Sequence, residues 1–315
     1  MGYLKDGEWF TGEGGFADDD GKFVRATSEF RNWVTPDGSA GPSGEGGFKA
    51  EPDRYHLYVS YACPWAHRAL IMRALKGLDE MIGLSVTNWY MGDQGWTFDD
   101  GPGVVPDPNE NAATIHDLYQ ISDPKVSGKA TVPVLWDKAN RCLVSNESAE
   151  IIRMLNSAFD GVGAKAGDYY PEALRDEIDA VNERVYNPFN NGVYRAGFAE
   201  KQSHYEEAAN DVFDTLDWAA EKLSGSDWLV GDQMTEADIR FFTTLIRFDP
   251  VYHGHFKCNR YKVDEVESLK AFRGRMMALP EIAVTVHFDH IKHHYYESHR
   301  HINPTGIVPI GPDMS

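Results

Sequence analysis

Basic residues are scarce in this chain. Thirty Lys and Arg stand against 49 Asp and Glu in 315 residues, for a net charge of −19. A chain so acidic offers no basic footprint for a phosphate backbone, so nucleic acid is not an expected partner. Long apolar runs are missing as well. None approaches the roughly 18 residues that a membrane span requires. Met1-Gly2-Tyr3-Leu4-Lys5-Asp6 has no apolar signal core, and Asp6 stands where a myristoylation signal wants Ser or Thr. These absences point to a cytoplasmic protein without a membrane partner. Cysteine is limited to Cys63, Cys142 and Cys258. An odd number at these spacings makes neither a disulfide framework nor a zinc ladder, which fits a reducing compartment. No internal repeat is visible.

What is present suffices for real cores. The hydrophobic fraction is 42% and there are 8 Trp, which argues against a disordered chain. At about 100–200 residues per domain the length suggests two domains. Residues 1–52 are rich in Gly, Asp and Pro, as in Gly12-Glu13-Gly14-Gly15, and read as an extended arm without a core of its own. Tyr55-His56-Leu57-Tyr58-Val59-Ser60 reads as a strand. Pro64 then suits the first position of a helix that runs to Gly77. Leu84 to Trp89 reads as a second strand, and residues 91–130 as an irregular insertion. Thr131 to Asp137 and Arg141 to Val144 read as a strand and its hairpin partner. Ser145-Asn146-Glu147-Ser148 leads into a helix through Ile151, Ile152, Met154 and Leu155. The expectation is a small α/β domain over residues 53–159.

After Gly167 the pattern is helical. Ile178, Val181 and Val185 recur at helical spacing, as do Tyr205, Ala208, Val212, Leu216, Ala219 and Leu223. Thr235-Glu236-Ala237-Asp238 has the form of a capping box. The expectation is an all-helical domain over residues 170–300, followed by a Pro-punctuated, extended tail over 301–315.

Three features carry chemistry. Cys63 lies between a strand and a helix that starts at Pro64. Unpaired amides and the positive end of the helix dipole favour thiolate over thiol there. A lone cysteine is otherwise a small buried hydrophobe. In Cys63-Pro64-Trp65-Ala66 the fourth position is not a second Cys, so a mixed disulfide at Cys63 needs an external thiol, of which glutathione is the abundant one. Val132-Pro133 after Thr131 fits either an edge strand or a cis-proline that offers the Val132 backbone to a peptide-like ligand. Glu147-Ser148 at a helix start is either a plain cap or a seat for a carboxylate.

Together these features resemble the thioredoxin-like half of glutathione transferases. Longer segments resemble the glutathionyl-hydroquinone reductases, the Xi class of that superfamily. They are Cys63-Pro64-Trp65-Ala66-His67-Arg68, Trp89 through Gly95-Trp96, Thr131-Val132-Pro133-Val134-Leu135-Trp136-Asp137 and Ser145-Asn146-Glu147-Ser148-Ala149-Glu150-Ile151. Farther on they are Asn190-Asn191-Gly192-Val193-Tyr194-Arg195-Ala196, Arg247-Phe248-Asp249-Pro250-Val251-Tyr252 and Asn303-Pro304-Thr305-Gly306. The resemblance implies a glutathione transferase fold: an α/β thioredoxin-like N-terminal domain followed by an all-α C-terminal domain.

It also implies glutathione as co-substrate, glutathione conjugates of hydroquinones as substrates, and a homodimer. Cys63 would be the nucleophile. Tyr194 would be the proton donor, with Tyr252 and Tyr295 near the thiolate. Trp96, Lys129, Thr131, Val132, Glu147 and Ser148 would hold glutathione. Family members commonly place Arg where Lys129 stands, and an ammonium is a point charge rather than a fork. A cysteine-type transferase of the omega kind is the nearest rival, and a non-catalytic scaffold of the same fold the more distant one.

Six of the 12 His fall between His287 and His301. They lack the His-Glu-x-x-His pattern, and no carboxylate has ligand spacing. A surface or tail-packing helix, with no metal, is expected. Cys142 and Cys258 read as structural.

Overall fold

The computed structural model describes residues 2–12 and 28–314. Most of the Gly12 to Gly15 stretch, read above as part of the arm, lies outside the described residues. The described chain divides into two units, residues 2–12 with 28–167, and residues 168–314. Among the described residues no helix is long and apolar enough to cross a membrane.

The first unit is built on a four-stranded sheet. Its strands are β3 (Tyr55–Val59), β4 (Ile82–Val86), β5 (Val134–Asp137) and β6 (Cys142–Ser145), in the order β4-β3-β5-β6. β3 runs parallel to β4 and antiparallel to β5, and β5 is antiparallel to β6. All five residues of β3 are buried, as a central strand covered on both faces requires. The crossover from β3 to β4 is α1 (Pro64–Leu75), and α3 (Ser148–Ser157) packs against α1. Every residue of α1 is buried. Both sheet edges are covered. Val86 exchanges two backbone bonds with Val105, while the Asn32 amide donates to the Val144 carbonyl and the Asn146 amide to that of Phe30. Strand edges left open are templates for unwanted pairing.

Two elements differ from the sequence reading. The segment read as an irregular insertion contains a helix, α2 (Ile115–Ser122). The Thr114 hydroxyl accepts from the Asp117 amide at 3.2 Å, and the Asp117 carboxylate accepts from the Thr114 amide at 2.9 Å. The arm read as wholly extended opens with a hairpin, β1 (Gly2–Lys5) and β2 (Glu8–Thr11). Its two-residue turn has φ +50° at Asp6 and +81° at Gly7, the left-handed pair that matches strand twist. The arm also adds Leu4, Val34, Phe48 and Ala50 to the core.

The second unit is helical: α4 (Arg175–Val185), α5 (Gly192–Gly197), α6 (Gln202–Ser224), α7 (Glu236–Leu245), α8 (Glu267–Met277), α9 (Pro280–Ala283) and α10 (Phe288–Ser298). All ten residues of α7 are buried. The expected apolar face of α6 is buried at Ala208, Val212, Leu216, Ala219 and Leu223. Two π-helical turns interrupt the helices, Tyr186–Asn190 and Phe248–Tyr252. Each carries proline at its third position, where a missing N–H suits a loosened ladder. The first turn precedes the short helix bearing Tyr194, and the second ends on Tyr252. The histidine-rich segment is no surface helix throughout, because His290, His294 and His299 are buried. Among the described residues the tail beyond His301 has turns but no regular element.

Candidate functional site

Cys63 is the N-cap of α1, with φ −75° and ψ 120°, and Pro64 follows at the first helical position. Its carbonyl accepts from the His67 amide at 3.0 Å, so the helix ladder begins at this residue. The sulfur therefore sits at the positive end of the helix. The Cys63 thiol donates to the Val132 carbonyl at 3.5 Å. The peptide bond from Val132 to Pro133 is cis, and Val132 itself is buried.

Thr131 is held by a residue the sequence reading passed over. The Tyr119 hydroxyl on α2 donates to the Thr131 carbonyl at 3.0 Å and accepts from the Thr131 amide at 3.1 Å. The Asn146 amide group donates to the same hydroxyl at 2.9 Å. Burial pushes the Tyr119 pKa up, which keeps the phenol neutral and able to serve both bonds.

Glu147 caps α3. Its carboxylate accepts from the Ala149 amide at 3.0 Å and from the Ser28 hydroxyl at 2.9 Å. Ser148 is buried at the first helical position. Cys63, Thr131, Val132, Glu147 and Ser148 thus share one unit and are tied to one another through α1, α2 and α3. Trp96 is in the same unit and buried, with its carbonyl accepting from the Ile115 amide at 2.9 Å. The Lys129 ammonium turns to the hairpin, donating to the Gly2 carbonyl at 3.4 Å and lying 5.8 Å from the centre of the Tyr3 ring. Burial lowers its pKa.

The other two cysteines are chemically quiet. Burial raises the pKa of Cys142, with the Asp137 carboxylate acting in the same direction. Burial pushes Cys258 up to about 12. Thiols held protonated are poor nucleophiles.

In the second unit the three named tyrosines meet. The Tyr295 hydroxyl is 2.5 Å from that of Tyr194 and 3.0 Å from that of Tyr252. Tyr252 and Tyr295 are buried, whereas Tyr194 is partly exposed. Phe256 packs on all three rings. Behind them His255 and His299 share a hydrogen bond of 3.2 Å. Tyr296, the neighbouring candidate, instead directs its hydroxyl to the Pro250 carbonyl at 3.4 Å. Among the described residues no group of three His, Cys, Asp or Glu is arranged to hold a metal ion.

Residues 62–158 match the model of the glutathione S-transferase N-terminal domain, and residues 202–274 that of the C-terminal domain. The chain is 52% identical to the glutathionyl-hydroquinone reductase PcpF of Sphingobium chlorophenolicum, over 99% of this chain and 96% of the relative. It is 55% identical to the glutathionyl-hydroquinone reductase YqjG of Escherichia coli, over 99% of this chain and 95% of that one. The glutathione-bound structure of YqjG superposes with a TM-score of 0.93, covering 100% of this chain and 96% of that chain. The glutathione transferase Xi of Phanerochaete chrysosporium superposes with a TM-score of 0.87 at 48% identity, covering 92% of this chain and 97% of that one.

The chain belongs to the Xi-class glutathione transferases. In this Xi-class transferase the N-terminal match falls in the unit of the mixed four-stranded sheet and the C-terminal match on the helical region.

Proposed function

We propose that this chain is a glutathione-dependent reductase that cleaves S-glutathionyl-hydroquinones to the hydroquinone and oxidised glutathione. The observation that carries the reading is identity of 52–55% along nearly the whole chain to two glutathionyl-hydroquinone reductases. Cys63 at the head of α1 supports the chemical step.

In that step the Cys63 thiolate attacks the glutathione sulfur of the conjugate. A sulfur–sulfur bond forms and the sulfur–carbon bond breaks. Its electron pair goes to the ring carbon, which is reduced as it takes a proton, while the two sulfurs are oxidised to a Cys63–glutathione disulfide. An aryl carbon leaves poorly as a carbanion, so a proton donor at that carbon lowers the barrier. Tyr194, the most exposed of the three linked tyrosines, is assigned that role, with Tyr295 and Tyr252 as its hydrogen-bond partners. A second glutathione, as thiolate, then attacks the Cys63 sulfur. Oxidised glutathione leaves, Cys63 returns to thiolate, and the proton lost by the second glutathione restores the phenol.

Trp96, Lys129, Thr131, Val132, Glu147 and Ser148 are assigned to glutathione. The reading includes a homodimer in a reducing cytoplasm. Sedimentation at micromolar concentration tests the dimer, and a single species at the chain mass of 35.4 kDa refutes it. The activity is tested by supplying glutathione and a glutathionyl-hydroquinone and following release of the hydroquinone. Turnover that vanishes in Cys63→Ala supports the reading. Absence of turnover in the native chain, with reduction of dehydroascorbate intact, favours an omega-type enzyme. Cys63 labelling as slow as that of a peptide thiol favours a scaffold.

A further inference from the structure

The Gly2–Thr11 hairpin has no part in the reaction above, yet its contacts fall on the two segments that carry Trp96 and Lys129. On one side the Trp9 indole stacks on the His116 imidazole, with centroids 4.1 Å apart and planes 13° apart. Its N–H donates to the Asp93 carbonyl at 3.0 Å. Gly95, at φ +68°, lies so close that an added Cβ would meet the Trp9 ring at 3.3 Å. The Gly95 amide donates to the Gly92 carbonyl at 3.1 Å, closing the turn from which Trp96 leaves.

On the other side Leu4 and Gly128 exchange two backbone hydrogen bonds of 2.8 Å each, and the Gly7 amide donates to the Val126 carbonyl at 2.9 Å. The Asp6 amide donates to the Ser127 hydroxyl at 2.9 Å, and the Gln120 side chain donates to the Gly7 carbonyl at 2.7 Å. The seat admits only glycine at position 7, because a Cβ there would lie 1.9 Å from the Pro124 carbonyl oxygen. Lys129 completes the contact through Gly2 and Tyr3.

The segments so gripped, 92–96 and 124–131, are irregular backbone without a ladder of their own. An irregular segment left unbraced loses conformational freedom when a ligand binds, and that loss weakens binding. A segment ordered by the fold spares the ligand this penalty. From these contacts we infer that the hairpin is a positioning element of the glutathione site. Trp9 sets the turn that delivers Trp96, and the Leu4–Gly128 pair sets the run from Lys129 through Thr131 to Val132. The inference rests on the assignment of Trp96 and that run to glutathione.

Steady-state kinetics on full-length Trp9→Ala and Trp9→Phe test it. In Trp9→Ala the KM for glutathione rises about tenfold, while kcat at saturating glutathione stays within about twofold. Trp9→Phe keeps a ring on His116 but loses the donor to Asp93, and falls between the two. Protection of Cys63 from iodoacetamide by glutathione shifts to higher glutathione concentrations, while the unprotected labelling rate is unchanged. A Trp9→Ala enzyme with lowered kcat and melting temperature but unchanged KM overturns the inference in favour of a purely structural hairpin. So does unchanged KM and protection in Trp9→Ala when Trp96→Ala raises both. Unchanged KM in Trp96→Ala overturns the site assignment itself, and the inference with it.

Discussion

The hydroxyl oxygens of Tyr194 and Tyr295 stand 2.5 Å apart. Tyr295 is fully buried and also meets the Tyr252 hydroxyl. Burial, aided by the two neighbouring phenols, holds its pKa well above the ordinary value. Tyr295 has one proton, so it donates to one neighbour and accepts from the other. Such a network can hand a proton outward while staying neutral at rest.

If Tyr194 is the acid at the ring carbon, Tyr194→Phe slows reduction of a glutathionyl-hydroquinone by roughly 10²- to 10⁴-fold. Exchange with a small glutathione mixed disulfide is nearly unaffected, because a departing thiolate needs no carbon protonation. Parallel assays on the two substrates decide the matter. Equal losses in both would assign Tyr194 to binding or packing.

The cysteines are expected to separate sharply. Cys63→Ala abolishes the reductase reaction, and Cys63→Ser is nearly as inactive, since an alkoxide is far harder to form than a thiolate. Cys142→Ala and Cys258→Ala keep most of the activity, because burial holds both of these thiols protonated. Initial rates normalised to folded protein are the readout. Comparable losses at all three positions would mean that folding is being measured.

Much of this architecture was legible in the chain, and the parts misread had local signals of their own. Strand β3, the Pro64 helix start and the α6 face follow from a run of β-prone residues, proline at a first helical position and helical spacing. The α2 helix was announced by Thr114 three residues ahead of Asp117, a capping-box pattern that the surrounding Gly, Pro and aromatic residues obscured. Asp6-Gly7 between short alternating runs is likewise a strong hairpin signal, lost in the Gly-rich texture of the arm. The Tyr119–Thr131–Asn146 link could not be read. It joins a helix, a loop and a strand end through one phenol, and nothing local encodes that meeting. The burial of His290, His294 and His299 was hidden for a related reason. Histidine carries no fixed preference for surface or core, so its partners decide.

Asp238 should be among the more costly single residues of the helical unit. Its carboxylate accepts from the Leu229 amide at 2.8 Å, from the Thr235 amide at 2.8 Å and from the Thr235 hydroxyl at 3.1 Å. In Asp238→Ala these buried donors lose their acceptor, at a cost of roughly 2–4 kcal/mol. Asp238→Asn costs less, since the amide oxygen still accepts. Urea unfolding with an unchanged m-value reports the difference. A loss under about 0.5 kcal/mol in Asp238→Ala would show that solvent or neighbours replace the carboxylate.

The same carboxylate enters the pH dependence of stability, against a set of histidines. Burial lowers the pKa values of His56 and His255 to about 4. It also lowers those of His116 and His287, and that of His299 well below the ordinary value. Each of these groups takes up a proton in the unfolded chain, near pH 6.5, before it does in the native one. The stability that each provides is complete above that pH and is lost as pH falls through the native value. Asp238 has the opposite sign. Burial raises its pKa to about 6, so its contribution is full below the ordinary carboxylate value and disappears as pH rises through 6. Glu29, raised by burial and then by the Asp123 charge, has the same sign as Asp238. Five histidines outweigh these two carboxylates, so the unfolded chain binds more protons between pH 6.5 and 4 and stability declines with acid across that window. Removing one opposing group in Asp238→Asn makes the decline steeper. The urea midpoint measured at half-unit intervals from pH 7.5 to 4.5 checks both statements. A midpoint that holds or rises between pH 6.5 and 5 would mean that the buried imidazoles gain their protons without cost to the fold.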